Sequence, residues 1–359
     1  MSQIIAIGTA LPAYRHEQMT ILQFMQKVYA PGEAERRKMR FLYAHCGIRQ
    51  RYSVLPDYGL EAGDWTFYPA TENLEPFPTL EQRMAVYNRE APALSVAAIH
   101  DCLQGRDPGS ITHLITVTCT GLSAPGLDLQ IAEAMGLSKN LVRTSVNFMG
   151  CYAAIHALKL AHAFCTADNG AKVMIVCTEL CTLHFQREPT IDNIASSLLF
   201  GDGAAAVLVT ADGAETEGLH LDGFHSEIVD KGKKDMAWEL SSTGFLMTLS
   251  GYVPDMIESD FHTVVEEALD RQGWKKEEVT HWCIHPGGKR ILEAIEKGLK
   301  LEREDLSCSY EVLSEFGNLS SATILFVLKR MLENRTAIPR LFGAAFGPGL
   351  TVETFCAHA

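Results

Sequence analysis

Asn147-Phe148-Met149-Gly150-Cys151-Tyr152-Ala153-Ala154 is the stretch on which the reading of this chain turns. Before it, Val142 to Val146 has the composition of a strand. After it comes an apolar run, and no charged residue lies between Arg143 and Lys159, which predicts a helix buried on nearly all sides. A thiol where such a helix begins meets the positive end of the backbone dipole, which favours its thiolate. Gly150 lets a second backbone or a substrate come close. Two readings of Cys151 follow: a nucleophile at the bottom of a pocket, or a small inert hydrophobe.

Two further segments bring polar residues to comparable places. Thr280-His281-Trp282-Cys283-Ile284-His285-Pro286-Gly287-Gly288 predicts a buried strand ending in a histidine, with a tight turn behind it. Ser314-Glu315-Phe316-Gly317-Asn318-Leu319-Ser320-Ser321 is a Gly-Asn turn leading into an apolar helix, Ala322 to Met331. Taken singly, His285 is a catalytic group or a satisfied core histidine, and Asn318 a donor into a cleft or a helix cap. With Cys151 they supply a nucleophile, a general base and hydrogen-bond donors, the set that condensation of thioesters needs.

Around these segments, buried-strand candidates recur at Ile4–Gly8, Ile111–Cys119, Val173–Glu179, Ala204–Val209, His281–His285 and Leu341–Ala345. Helical patterns fall between several of them, at Glu81–Cys102, Cys151–Ala167, Ile257–Gln272 and Lys289–Leu299. This alternation predicts an α/β architecture with mostly buried sheets. Leu55–Pro78 and Glu227–Thr243, the latter with Lys231-Gly232-Lys233-Lys234, read as long surface connections.

Composition narrows the function. A net charge of −13 argues against non-specific binding to nucleic acid or anionic membranes. No export signal and no apolar run of membrane-spanning length is evident, so a cytoplasmic location is expected. Ten cysteines then imply free thiols rather than a disulfide framework. Cys177, Cys181 and His184 lack a fourth partner, and no metal is expected there. Six basic residues between Arg36 and Arg51 read equally as a phosphate dock or as a solvated helix face.

The Cys151, His285 and Asn318 segments, in this order, resemble type III polyketide synthases, the chalcone synthase-like branch of the thiolase superfamily. Leu199-Phe200-Gly201-Asp202-Gly203, Ala124-Pro125-Gly126-Leu127-Asp128 and Ala345-Phe346-Gly347-Pro348-Gly349 add to the likeness, which covers essentially the whole chain. Ala345 stands where the family signature has glycine. The resemblance implies a thiolase-like layered αβαβα fold with two pseudo-symmetric halves. The N-terminal half, 1–212, would hold the nucleophile, and 213–359 the histidine and asparagine, joined near 211–216. It also implies a homodimer with coenzyme A thioesters as substrates and no permanently bound cofactor.

The resemblance implies a role for each site residue. Cys151 takes a starter acyl group, His285 as imidazolium stabilises its thiolate, and His285 with Asn318 stabilises the enolate left when malonyl-CoA loses carbon dioxide. Phe200 and Met247 match gate positions, with plain core packing as the other reading. Cys119, Cys181, His184, Ala124 and Trp238 stand at cavity-shaping positions. Cys119 and Ala124 suggest a side tunnel, and Trp238 a narrowed cavity. Glu179 and Ser320 match a network linked to aldol-type cyclisation, with the Cys119 thiol replacing a hydroxyl, which disfavours water activation. Lys38 and Arg40 align with the tunnel mouth. The expected reaction is extension of a fatty-acyl starter to an alkylpyrone or alkylresorcinol. The rival is an initiating 3-ketoacyl synthase that condenses once; a non-catalytic scaffold would lack the three site residues.

Overall fold

The computed structural model describes residues 2–359 except 31, 72, 214–217, 230–235 and 335–336. Its strands are β1 (Ser2–Ala10), β2 (Tyr14–Glu17), β3 (Gln50–Ser53), β4 (His113–Thr118), β5 (Val142–Asn147), β6 (Lys172–Leu180), β7 (Asp202–Ala211), β8 (Leu219–Ile228), β9 (Met236–Ser241), β10 (Gly244–Leu249), β11 (His281–Ile284), β12 (Leu341–Gly347) and β13 (Thr351–His358). The α-helices are α1 (Gln18–Tyr29), α2 (Glu33–His45), α3 (Leu80–Leu103), α4 (Leu127–Ala134), α5 (Ala153–Ala167), α6 (Ile191–Leu199), α7 (Val253–Asp270), α8 (Lys289–Leu299), α9 (Ser307–Phe316) and α10 (Thr323–Glu333).

Nine strands form one sheet in the order β11-β12-β13-β8-β1-β7-β6-β4-β5. Its two parts repeat a pattern, β1-β7-β6-β4 in the first and β8-β13-β12-β11 in the second. They join through a short antiparallel pairing of Ser2–Ile4 with Leu219–Leu221. In each part the strand farthest from the join in that pattern is parallel to its neighbour, as β4 is to β6 and β11 to β12. The remaining pairs within each pattern are antiparallel.

Helices α5 and α10 lie between the two parts. Their side chains, such as Ile155, Leu158, Leu325 and Leu328, share one core with Ile175 and Val207 of the first part and Leu341 and Phe355 of the second. A helix buried on every side must be apolar on every side, which is why α5 carries no charge before Lys159. Helix α3 covers the outer face of the first part and packs on β1 at Gly8, where a Cβ would sit 2.1 Å from the Cys102 nitrogen. Helices α7 and α8 cover the second part through residues such as Val264, Leu292 and Phe342. The layers therefore run helix, sheet, helix, sheet, helix. Each aliphatic side chain buried in them contributes about 2 kcal/mol. Among the described residues no helix is long and apolar enough to cross a membrane.

Three expectations need correction. The helix predicted from Cys151 begins at Ala153, because Gly150 at φ +83° turns the chain first. Leu55–Pro78 has little regular structure but is not confined to the surface. Tyr58, Tyr68 and Leu74 are buried, and the Asp57 carboxylate accepts hydrogen bonds from the backbone of Thr66, Phe67 and Tyr68. Glu227–Thr243 contains β9, which pairs with β10 in a hairpin over the candidate site. Lys231-Gly232-Lys233-Lys234 and part of the expected join, 214–216, lie outside the described residues.

Candidate active site

Cys151 sits in the turn between β5 and α5, half-buried and open to a cavity. The turn is held tightly: a Cβ on Gly150 would sit 2.1 Å from Pro348 Cδ. Asn318 and Ser320 reach the same sulfur from the turn between α9 and α10. Cys151 Sγ lies 4.0 Å from Asn318 Oδ1 and 3.8 Å from Ser320 Oγ. Ser320 adopts a left-handed backbone, φ +50°, and its N–H donates to Asn318 Oδ1 at 2.8 Å. That bond fixes which end of the amide is oxygen. Asn318 Nδ2 then donates to the Gly287 carbonyl at 3.3 Å, leaving its second N–H free in this structure.

His285 directly follows β11 and donates its backbone N–H to the Ala344 carbonyl at 2.9 Å. A Cβ on Gly287 would lie 3.9 Å from His285 Nε2, so the imidazole and the Asn318 amide flank the same glycine. The ring is fully buried, yet neither nitrogen has a hydrogen-bond partner. Burial pulls His285 down to about 3. Burial also pushes the Cys151 thiol up to about 12, outweighing the Ser320 and Asn318 hydrogen bonds, which lower it. Desolvation disfavours the charged form of each group, and at the sulfur the Ser320 and Asn318 hydrogen bonds act in the opposite direction.

The cavity beside Cys151 holds about 940 Å³, its mouth included. Ile21, Met25, Phe185, Phe200, Met247 and Phe245 give it a mostly apolar lining. Trp238 forms another part of the wall, and its indole N–H donates to the Cys119 carbonyl at 2.6 Å. His184 stacks on Phe245 with ring centroids 4.1 Å apart. Its Nε2 pairs with the Thr120 carbonyl at 2.8 Å, and its Nδ1 accepts the Phe245 N–H at 3.1 Å.

Models of the chalcone and stilbene synthases match residues 1–213, their N-terminal domain, and 221–359, their C-terminal domain. The chain belongs to this family of type III polyketide synthases. Among solved structures it is similar to PKS-I from the brown alga Ectocarpus siliculosus, at 26% identity and a TM-score of 0.93, covering 99% of this chain and 98% of that one. It is also similar to the C-terminal type III polyketide synthase domain of Steely1, a type I/III hybrid from Dictyostelium. There the identity is 25% and the TM-score 0.92, with 99% of each chain covered.

The remaining expected residues of the synthase fall into three groups. Phe200, Met247, Cys119, Cys181, His184 and Trp238 all line the cavity with Cys151 and Ser320. Both His184 nitrogens are engaged, so it is not free to bind a metal with Cys177 and Cys181. Among the described residues, the group with ligand-like spacing is instead His225, Glu227 and Glu267, none of which lines the cavity.

Ala124 is exposed and does not line this chain's cavity. The Cys119 thiol accepts the Gly150 N–H at 3.0 Å, and its carbonyl accepts the Trp238 indole N–H. The cyclisation network also differs. Glu179 accepts from the Cys119 backbone N–H and the Thr120 hydroxyl, each at 2.9 Å, and from the Ser321 hydroxyl at 2.5 Å. Ser320, turned by its left-handed backbone, points to Cys151 instead. A hydroxyl at Thr120 therefore bonds Glu179 beside the Cys119 backbone N–H. Burial raises Glu179 to about 6.

Lys38 and Arg40 lie exposed on α2, whose buried Tyr43 donates to the carbonyl of the cavity-lining Ser197 at 3.3 Å. Arg51, grouped with them by sequence, is buried and lines the cavity. It lies within β3, all but one of whose residues are buried, whereas Arg49 just before the strand is exposed. Thr120, Ser321, Arg51 and Phe245 were not singled out from the sequence.

Proposed function

We propose that the synthase loads an acyl group from an acyl-CoA onto Cys151 and extends it by decarboxylative condensation with malonyl-CoA. The observation that carries this reading is an asparagine amide 4.0 Å from a cysteine that opens on an apolar cavity, with a buried imidazole of two unengaged nitrogens beside the glycine that this amide bonds. Moving the Cys151 proton to His285 creates thiolate and imidazolium together, so each charge offsets the other's burial. The thiolate attacks the acyl-CoA carbonyl, the carbon–sulfur bond to coenzyme A breaks, and the acyl group stays on Cys151. When malonyl-CoA loses carbon dioxide, the electron pair of the broken bond passes to the thioester oxygen. His285 and Asn318 donate to that oxygen as its charge grows, the stage at which fixed donors lower the barrier most. The enolate carbon then attacks the acyl carbonyl, and Cys151 leaves as thiolate.

The hydrocarbon lining favours an aliphatic starter, and the product is an alkylpyrone or alkylresorcinol. The exposed basic residues of α2, Lys38 and Arg40 among them, meet the phosphates of coenzyme A. The synthase works as a homodimer. Leu122 and Val142, both exposed apolar residues near Ala124 and on the edge strand β5, are what the partner covers. Light scattering on the purified protein checks that.

Incubating the protein with a chain-length series of acyl-CoAs and malonyl-CoA, without carrier protein, tests the activity. Pyrone or resorcinol masses that grow with starter length are expected. A product condensed only once, or made only with a carrier-bound malonyl group, would contradict the proposal.

A further inference from the structure

The segment Leu198–Phe200, which carries the expected gate residue, is held by its carbonyls from three directions. Leu198 O accepts from Gln18 Nε2 at 2.9 Å. Leu199 O accepts the backbone N–H of Asn318 at 2.9 Å, and the Asn318 carbonyl in turn accepts the Gly201 N–H at 3.0 Å. Phe200 O accepts from Arg51 Nη1 at 2.5 Å. Arg51 Nε donates to Gln18 Oε1 at 2.9 Å, which closes the set.

The Phe200–Asn318 contact is an isolated parallel bridge, outside every sheet. Two hydrogen bonds alone hold a segment loosely, so its precision must come from what braces it. Arg51 lies against both sides of it. A Cβ on Gly317, at φ +71°, would sit 2.8 Å from Arg51 Cδ and 2.7 Å from Leu199 O. Only glycine lets the guanidinium stem pass there. Arg51 is 4% exposed, and its hydrogen-bonded partners here, a glutamine side chain and a backbone carbonyl, are uncharged. Desolvation disfavours the cation, the buried Asp202 carboxylate offsets part of that through space, and packing alone would favour a methionine or leucine. What guanidinium adds is a rigid plane of donors reaching two acceptors at once.

We infer that Arg51 is a positioning residue: it fixes the distance between the gate at Phe200 and the donor amide of Asn318, with Gln18 as its brace. This deepens the function proposed above and rests on it for the role of Asn318. An error of about 1 Å in a donor's position lowers turnover by roughly 100-fold.

Arg51→Lys keeps the charge and loses the fork. Its expected result is a kcat for condensation about 30-fold lower, with KM for malonyl-CoA changed by less than roughly threefold. A merely structural role would lower the melting temperature and leave kcat per folded molecule unchanged. Hydrogen exchange followed by mass spectrometry gives the second readout. Peptides covering 196–202 and 314–321 should exchange at least about tenfold faster in the variant, while β7 stays protected. If Arg51→Lys fails to fold, Gln18→Met removes the brace at a neutral side chain, and both readouts should move the same way by less. Unchanged exchange in both segments, or a loss carried by KM alone, overturns the inference. A wild-type protein that makes no extended product defeats the proposed function instead, and hydrogen exchange then decides the case of Arg51.

Discussion

His184 and His285 are both buried, and burial holds both near about 3, yet their ring nitrogens fare oppositely. His184 has a backbone partner on each nitrogen and a ring stacked on Phe245. His285 has no hydrogen-bond partner on either. A buried polar group left unpaired costs about 1–3 kcal/mol. The protein bears that cost at His285 and avoids it at His184. The proposed function uses the first as a donor to a substrate oxygen, whereas the second is a hydrogen-bonded piece of the cavity wall. Burial and pKa direction alone would have classed them together; hydrogen-bond satisfaction separates them.

Several substitutions would break or sharpen this contrast. The largest effect is expected from His285→Ala and Cys151→Ala, each lowering condensation by roughly 1000-fold or more. Product release by mass spectrometry measures it, and His285→Ala should cost little stability because no hydrogen bond is lost. Asn318→Ala removes one donor and should lower kcat by about 100-fold. For His184→Leu the pattern reverses. Leaving Thr120 O and the Phe245 N–H unpaired should cost about 2–4 kcal/mol in denaturant unfolding, while turnover of folded protein stays within roughly tenfold. Trp238→Phe loses one hydrogen bond to Cys119 O, about 1 kcal/mol, and should extend the accepted starter chain, read from product masses.

A separate effect lies in the pH dependence of stability. Both histidines have folded pKa values below the unfolded value of about 6.5. The stability they provide is therefore complete above pH 6.5 and lost as the pH falls toward 3, by about 1.4 kcal/mol per pH unit for each. His184→Leu should remove one of the two contributions from that slope.

Much of this was legible in the sequence because apolar runs leave no choice of environment. β7 is buried along its whole length and α5 through most of its first half, and their composition says so. Helix α2 was hidden because only Met39 and Tyr43 are buried in it, leaving no apolar stripe to read. The β9–β10 hairpin was hidden by polar and lysine-rich flanks, although Trp238 and Phe245 within it wall the cavity. The hydrogen bonds of Glu179 to Thr120 and Ser321, each one residue from an expected position, were not legible in the sequence. A left-handed turn at Ser320 decides that shift, and serine gives no signal of it. Arg51 was read with its charged neighbours because nothing in the charge cluster marks where the exposed helix ends and the buried strand β3 begins.

Intact-protein mass spectrometry after mixing with hexanoyl-CoA, then with malonyl-CoA, tests the central claim most directly. One hexanoyl group should appear on the peptide containing Cys151, then disappear as carbon dioxide and a longer product are released. An acyl group on another of the thiols, or one that malonyl-CoA leaves in place, would contradict it.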